Sequence, residues 1–285
     1  MPTPDVSTAT PLRSRARVDV PPLDPLRYAP TPQRPLRAKW RRLAADTRVQ
    51  PHSHPWAQVA LSSTGVIRMT AGRSTYLVPP TRALWIPPGV EHVVTVVEPA
   101  DIRTLYIHQT PQRIGPGVPR EERDAWRECR VLEVSPLLRE LVTHLPADPD
   151  TLAPLNDRER WIGALILDEL RRAQPLPLGI DLPNDKRLRS LCEAVLDEPT
   201  RWATLDGWAR EAGASARTVA RLFRSELGTS FLQWRQQVLL ARALSMAAKR
   251  MPMSTIAAEL GYASPSAFTA MVRRSVGAPP SRFFG

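Results

Sequence analysis

Apolar residues recur at helical spacing near the carboxyl end of the chain, with positive residues on the opposite side. In the stretch that begins at Ser215, Val219 and Phe223 fall on one side of a helix, while Arg217 and Arg221 fall on the other. Ser215 is a suitable N-cap, because its hydroxyl can accept a hydrogen bond from a free backbone amide of the first turn. The preceding residues, TLDGWAREAG, predict a shorter helix that ends in a glycine turn. The pattern therefore predicts a helix-turn-helix unit that presents arginines to its surroundings.

The same pattern occurs again further along the chain. The segment SPSAFTAMVRRSVG, from Ser264, repeats the hydrophobic register of SARTVARLFRSELG, from Ser215, and both begin with serine and end with glycine. Residues 231–249 lie between the units and contain no Pro or Gly, so we predict one long helix there. Two units held roughly one DNA turn, or about 34 Å, apart can enter successive major grooves. Residues 183–285 are thus predicted to form an all-α domain with two helix-turn-helix units.

Residues 39–110 have a different pattern, with short runs of β-branched and aromatic residues. The predicted strands are residues 57–63, 66–70, 74–78, 83–86, 92–97 and 102–108. Turn-forming Pro and Gly residues separate most of these runs. Many short strands at this spacing indicate a sandwich or a barrel.

The remaining segments complete a multi-domain α+β fold. Residues 1–38 carry nine of the 31 prolines and are predicted to form a disordered tail. Residues 111–182 are predicted to form a helical connector, with helices that start after Ser135 and near Asn156. Their apolar stripes include Leu138, Leu141 and Trp161, and they pack either on the barrel or in a dimer interface. The sequence leaves these two uses open.

The distribution of charge favours a polyanionic partner. The chain has a formal net charge of +11, and residues 183–285 carry 15 Lys and Arg against eight Asp and Glu. The repeated helices therefore coincide with the basic part of the chain, which suits DNA. Two cysteines are too few for a disulfide framework, so a reducing cytoplasm is expected. No apolar run is long enough to cross a membrane.

Three of the five histidines are placed in the predicted barrel. His52 and His54 are predicted to alternate on one strand, and His92 follows the turn at Pro87. With Gln58 they resemble the two sequence motifs of the cupin barrel, which implies either a divalent metal site or a pocket for a small effector. No cofactor is expected unless such a metal is bound. The predicted effector-binding residues are His52, His54, Gln58, Trp85 and His92, and the metal ligands, if any, are His52, His54, Gln58 and His92.

The last hundred residues resemble the AraC/XylS family of bacterial transcription regulators. The resemblance is carried by ASARTVARLFRSELGTSFLQWRQ and IAAELGYASPSAFTAMVRRSVGAPPSRF. It implies that the first recognition helix makes most of the base contacts, which points to Arg217 and Arg221. Ala270 stands where this family commonly has arginine, which weakens base readout by the second helix. The predicted DNA-binding residues are Ser215, Arg217, Thr218, Arg221, Arg224, Ser264, Ser266, Ala267, Arg273 and Arg274.

Two classes of function follow from these motifs. The favoured one is a DNA-binding transcription regulator, not an enzyme, in which a cupin-like domain senses a small-molecule effector. Its expected partners are double-stranded promoter or operator DNA, the effector, a second copy of the chain and, if it activates, RNA polymerase; no membrane is expected. The alternative is a metal-dependent cupin enzyme with an appended nucleic-acid-binding module. An acid-base or metal constellation beyond the three histidines would favour the enzyme, and the sequence shows none.

Overall fold

The chain folds into two compact units. The computed structural model describes residues 16–110, 114–150, 153–176 and 178–284. Residues 17–179 make up one unit and residues 180–284 belong to the other.

The first unit is dominated by two β-sheets. Its elements are β1 (Val18–Val20), a 3-10 helix (Pro25–Tyr28), β2 (Leu36–Leu43), β3 (Thr47–His52), β4 (Ala57–Thr64), β5 (Ile67–Ala71), β6 (Ser74–Val78), β7 (Arg82–Ile86), β8 (His92–Val96), β9 (Ala100–Ile107), a second 3-10 helix (Arg120–Arg127), β10 (Arg130–Glu133), α1 (Pro136–His144), α2 (Asp157–Arg172) and β11 (Pro175–Leu176). One sheet contains β1-β3-β8-β5-β6 in this order, and the other has the order β11-β10-β7-β4-β9-β2. This architecture confirms the predicted cupin-like barrel.

The second sheet is covered on its outer face by helices. Alternate residues of its strands, such as Val59, Trp85 and Leu105, belong to one buried cluster with Leu138 of α1 and Ile166 of α2. Residues of opposite parity on the same strands point into the barrel, because side chains alternate between the two faces of a sheet. The alternation therefore sends apolar groups to the helices and polar groups such as Gln58 to the interior.

The structure corrects the prediction that residues 1–38 form a disordered tail. Residues 1–15 lie outside the described part of the chain, but β1 pairs in parallel with β3, and β2 begins at Leu36. All eight residues of β2 pair with β9, including Leu36 with Ile107 and Ala38 with Leu105. The prolines between residues 21 and 35 lie in the connection between β1 and β2, where no ladder hydrogen bond is required of them.

The predicted helical connector, residues 111–182, also contains a strand. Its strand β10 pairs with β7, from Arg130 opposite Trp85 to Glu133 opposite Arg82. The connector helices begin as predicted: Ser135 caps α1, and Asn156 forms a capping box at the start of α2. Since both helices contribute to the cluster under the sheet, these elements extend the barrel domain.

The second unit is helical, as predicted. It contains a short strand, β12 (Ile180–Asp181), followed by α3 (Lys186–Asp197), α4 (Leu205–Glu211), α5 (Ala216–Leu227), α6 (Phe231–Ala248), α7 (Met253–Glu259), α8 (Pro265–Val276) and α9 (Pro280–Phe283). The pairs α4–α5 and α7–α8 are the two helix-turn-helix units, and α6 is the long helix predicted between them. Trp208, Phe223 and Trp234 are fully buried in this unit. Across the described residues, no helix combines the length and the apolar character that crossing a bilayer requires.

Candidate functional site

The first recognition helix, α5, has a buried apolar side and an exposed basic side. Val219 and Phe223 are buried, and the Phe223 ring centre lies 5.6 Å from that of Trp234. Arg217 and Arg221 are exposed. Packing thus fixes one side of α5 and leaves the arginines turned to solvent, where they are free to reach a duplex.

The ends of α5 are defined by capping groups. The hydroxyl of Ser215 accepts a hydrogen bond from the backbone N–H of Thr218 at 3.1 Å. At the other end Gly228 has φ of 64°, a left-handed conformation that favours glycine. The predicted start and end of the recognition helix are therefore both confirmed.

The second recognition helix, α8, repeats this construction. Ser264 accepts a hydrogen bond from the backbone N–H of Ala267 at 3.2 Å, and Pro265 occupies the first helical position. Phe268, the buried counterpart of Val219, anchors the helix, while Arg273 and Arg274 are exposed in its last turn. The basic groups of α8 are thus concentrated at its carboxyl end, whereas those of α5 begin in its first turn.

All the residues predicted to bind DNA are exposed. They are Ser215, Arg217, Thr218, Arg221 and Arg224 of the first unit, and Ser264, Ser266, Ala267, Arg273 and Arg274 of the second. The first five lie on or beside α5 and the last five on or beside α8. Their individual contacts with DNA stay predictions.

The three barrel histidines come together at one end of the first unit. The ring centres of His52 and His92 are 4.3 Å apart, and those of His54 and His92 are 5.4 Å apart. The prediction that His52 and His54 share one strand was wrong, because β3 ends at His52 and His54 follows it. A register shift in β3 and the turn after it bring His54 back toward His92.

Hydrogen bonds fix the tautomer of each histidine. In all three rings Nδ1 lies 2.8 or 2.9 Å from a backbone carbonyl oxygen, that of Gln50, Trp56 or Val90. A carbonyl oxygen only accepts, so Nδ1 carries the proton and Nε2 of the neutral ring has a lone pair. Burial keeps the rings neutral: it lowers the pKa of His52 and His54, and lowers that of His92 to about 3.

His54 and Gln58 form a hydrogen bond with each other inside the barrel. Nε2 of His54 lies 2.9 Å from the side-chain amide of Gln58, and both residues are buried. The atom of Gln58 at this distance is Oε1, which only accepts. Since Nδ1 of the neutral ring already donates to the Trp56 carbonyl, the amide of Gln58 must exchange its oxygen and NH2 positions to donate to Nε2. Both nitrogens of His54 are then occupied by protein groups.

The site does not fit the divalent metal that the cupin motifs suggest. His54 has no free nitrogen, and among the described residues no group of three His, Cys, Asp or Glu side chains is placed to hold a metal ion. Lys39 lies close enough to lower the pKa of all three histidines. A nearby ammonium and the lack of a carboxylate both oppose the binding of a divalent cation.

Lys39, Trp56 and Tyr106 also lie at this site, although the sequence pattern did not predict them. Nζ of Lys39 donates a hydrogen bond to the Tyr106 hydroxyl at 2.5 Å and lies 4.7 Å from the centre of its ring. The Trp56 ring centre is 5.6 Å from that of Tyr106. The alternation in β2, with Leu36 and Ala38 on the helix-covered face, would have placed Lys39 inward if the strand had been recognised.

Trp85 does not belong to the predicted effector site. It is fully buried on the opposite face of its sheet, where its indole N–H donates to the backbone carbonyl of Trp126 at 3.0 Å. The rings of these two tryptophans meet edge to face. Trp85 therefore holds the second 3-10 helix against the sheet, and it is a structural residue.

A barrel with a polar interior site, joined in one chain to a pair of arginine-bearing helix-turn-helix units, defines a ligand-responsive DNA-binding regulator. Comparisons with known proteins agree. An AraC-like ligand-binding domain model matches residues 41–172, and a helix-turn-helix domain model matches residues 208–285. The transcriptional regulator NimR of Escherichia coli K12 is 32% identical over 232 residues, which cover 81% of each chain. The chain belongs to the AraC family of transcriptional regulators.

More distant relatives match shorter regions. The regulator RipA of Corynebacterium glutamicum is 33% identical over 102 residues, which are 36% of this chain and 31% of RipA. The arabinose operon regulatory protein of E. coli K12 is 28% identical over 116 residues, or 40% of each chain. The match to the ligand-binding domain runs past residue 110, the end of the predicted barrel domain, in agreement with the packing of α1 and α2 on the sheet.

Proposed function

We propose that this regulator reads operator DNA with α5 and α8, and that α5 supplies most of the base contacts. The repetition of one design supports this: each helix has a buried apolar side, a serine cap and exposed arginines. Arg217 and Arg221 lie early in α5, and arginine pairs with guanine edges in the major groove. Selection of genomic fragments bound by the purified protein, followed by footprinting, tests the proposal. Failure to enrich any sequence over random DNA would refute it.

Arg273 and Arg274 are phosphate anchors in this proposal. Replacing either by Ala should weaken binding to specific and random DNA alike, and should flatten the salt dependence by about one unit per lost contact. Fluorescence anisotropy at several salt concentrations measures both effects. Arg187→Ala, at an exposed position of α3, is the matched control for the loss of one positive charge. A loss confined to the specific operator would instead assign Arg273 or Arg274 to base readout.

The protein acts as a homodimer in this proposal. The outer side of α1 and α2 leaves Leu137, Trp161 and Leu165 about half exposed or more, at 50, 67 and 47%. Trp161 and Leu165 line a groove of about 270 Å³. Apolar residues grouped in this way mark an interaction surface, and a second copy presents the same surface in return.

The barrel is a sensor and not a metalloenzyme in this proposal, and it acts in the cytoplasm. The family relationship to regulators and the poor fit of the site to a metal support this. We expect protein purified without a histidine tag to contain far less than stoichiometric Zn, Fe, Ni, Mn or Cu by elemental analysis. A stoichiometric metal that is lost in His92→Ala would contradict the expectation. The same variant should change the effector response while it leaves the affinity of the full chain for operator DNA unaltered.

A further inference from the structure

The ammonium group of Lys39 is set inside the barrel without a negative partner. Its surroundings are the ring and hydroxyl of Tyr106 and the three histidines. In the described part of the chain no carboxylate forms an ion pair with Lys39, and the charge of Arg41 lowers its pKa further. A buried charge is costly unless a counterion accompanies it. The ammonium of Lys39 is therefore a candidate anchor for an anionic ligand.

Two buried polar atoms of the cluster around Tyr106 and the histidines also lack partners within the described residues. They are Nε1 of Trp56 and Nε2 of His92. Trp56 packs against Tyr106, and His92 packs against His54, whose ring centre is 4.9 Å from that of Tyr106. Buried polar groups in native proteins normally have partners, so two such atoms around one unpaired ammonium indicate a ligand that supplies them.

We propose that this end of the barrel binds a small organic carboxylate, with Lys39 as its anchor and Trp56 as a second donor. The proposal rests on the sensor role of the barrel and names the chemical class of its effector. Lys39 and His52 are mostly but not fully buried, so they mark the side from which solvent and a ligand reach the site.

The donors and acceptors at the site determine this class. One ammonium balances one negative charge, and the two oxygens of a carboxylate can accept from Nζ of Lys39 and Nε1 of Trp56. A phosphate dianion would leave one charge unbalanced. His92 presents a lone pair at Nε2, so it accepts a hydrogen bond from a hydroxyl or amino group of the same ligand. Aromatic rings around the anchor favour a compact ligand with an apolar body.

Binding of the carboxylate is coupled to the protonation of Lys39. Burial lowers the pKa of Lys39 from 10.5 to about 8, so the free protein loses this charge as the pH rises through 8. The other titratable groups close to it are His52 on β3, His54 after β3, His92 on β8, Tyr106 on β9 and Arg41 on β2. Burial keeps the three histidines and Tyr106 neutral near pH 7. An anion stabilises the charged ammonium, so binding raises the pKa of Lys39, and affinity falls as the pH rises above about 8.

Lysine-selective NMR provides a direct test, because the chain contains only three lysines, Lys39, Lys186 and Lys249. Lys186 and Lys249 are exposed and serve as internal controls. The full-length protein is titrated with pH in the presence of acetate, glycolate, benzoate or 3-hydroxybenzoate, and separately with the matching amides. We expect at least one carboxylate to shift the Lys39 signal and to raise its pKa, with no change at the other lysines and none caused by its amide.

Three results would overturn the carboxylate site. They are no response of Lys39 to any of the carboxylates, an equal response to the amides, and equal shifts at the exposed lysines. Selection of specific DNA by the same preparation tests the regulator independently. If the Lys39 signal does not respond but the protein selects specific DNA, only the proposed carboxylate site is refuted. If the protein selects no specific DNA, the proposed function is refuted.

Substitutions of Lys39 test whether its ammonium group binds the carboxylate or only stabilises the fold. Lys39→Met should raise the dissociation constant of the best carboxylate about tenfold or more, and the thermal midpoint of the free protein should not fall, because an unpaired buried charge is removed. Lys39→Arg keeps the charge, so it should retain binding and lose the decline in affinity above pH 8. Wild-type affinity in Lys39→Met, or an unchanged pH profile in Lys39→Arg, would refute the assignment.

Discussion

Replacing Arg217 or Arg221 by Ala is expected to cost about 1–3 kcal/mol of specific DNA binding, or roughly five- to 150-fold in affinity. Both side chains are exposed in the first half of α5, whose opposite side is fixed by Val219 and Phe223. Each variant should also relax base preference at one position of the operator, because the pair of hydrogen bonds that distinguishes guanine is lost. Binding to an operator and to its single-base variants measures both effects.

A double variant and a control variant distinguish the loss of base contacts from the loss of positive charge alone. Arg217→Ala with Arg221→Ala should reduce binding to the operator nearly to the level of random DNA, while Arg187→Ala changes both affinities little. None of these substitutions removes a buried group, so circular dichroism should show an unaltered fold. Equal losses on operator and random DNA would make Arg217 and Arg221 phosphate contacts and would remove base readout from α5.

The helical half was predictable because its signals are local. Ser215, Ser264 and the glycines after each recognition helix define where the helices begin and end, and the repetition of one register at both sites identified the pair of units. The buried positions Val219, Phe223 and Phe268 follow from the 3.6-residue period alone. Tertiary packing did not have to override any of these local preferences.

The barrel was less predictable because its partners are distant in sequence. β2 lies among prolines and arginines, and it becomes a strand through its pairing with β9, more than 50 residues later. Without β2, Lys39 had no assigned face and was not recognised as part of the site. Trp85 was assigned to the pocket, since the sequence alone did not show that α1 and α2 cover the opposite face of its sheet. Both errors have one source, the long-range register of the strands.

The structure shows which residues of the apolar stripes on α1 and α2 pack on the barrel and which are exposed. Leu138 and Val142 are each 1% exposed and pack under the second sheet, as does Ile166. Trp161 and Leu165 of α2 point to solvent, together with Leu137 of α1. One side of each helix therefore stabilises the barrel, and the other side is exposed.

Charged substitutions on the two sides should have opposite outcomes. Val142→Glu buries an unpaired carboxylate, so it should cost several kcal/mol of unfolding free energy and should unfold the barrel domain. Trp161→Glu together with Leu165→Glu should leave the thermal midpoint within a few degrees of the wild type. The same double variant should weaken dimerisation by about 2 kcal/mol or more, because exposed tryptophans are frequent hot spots of interfaces. Leu26→Glu, at an apolar residue that is 72% exposed in the first 3-10 helix, is the matched control and should remain a dimer.

Sedimentation and footprinting together decide where the interface lies. A folded monomer of the Trp161→Glu and Leu165→Glu variant that protects one half-site, beside a wild-type dimer that protects two, supports the outer side of α1 and α2 as the dimer interface. A variant that still sediments as a dimer places the interface elsewhere. If the wild-type protein is itself monomeric and protects one half-site, two units in successive grooves already account for the whole footprint, and the exposed Trp161 and Leu165 must contact a different partner.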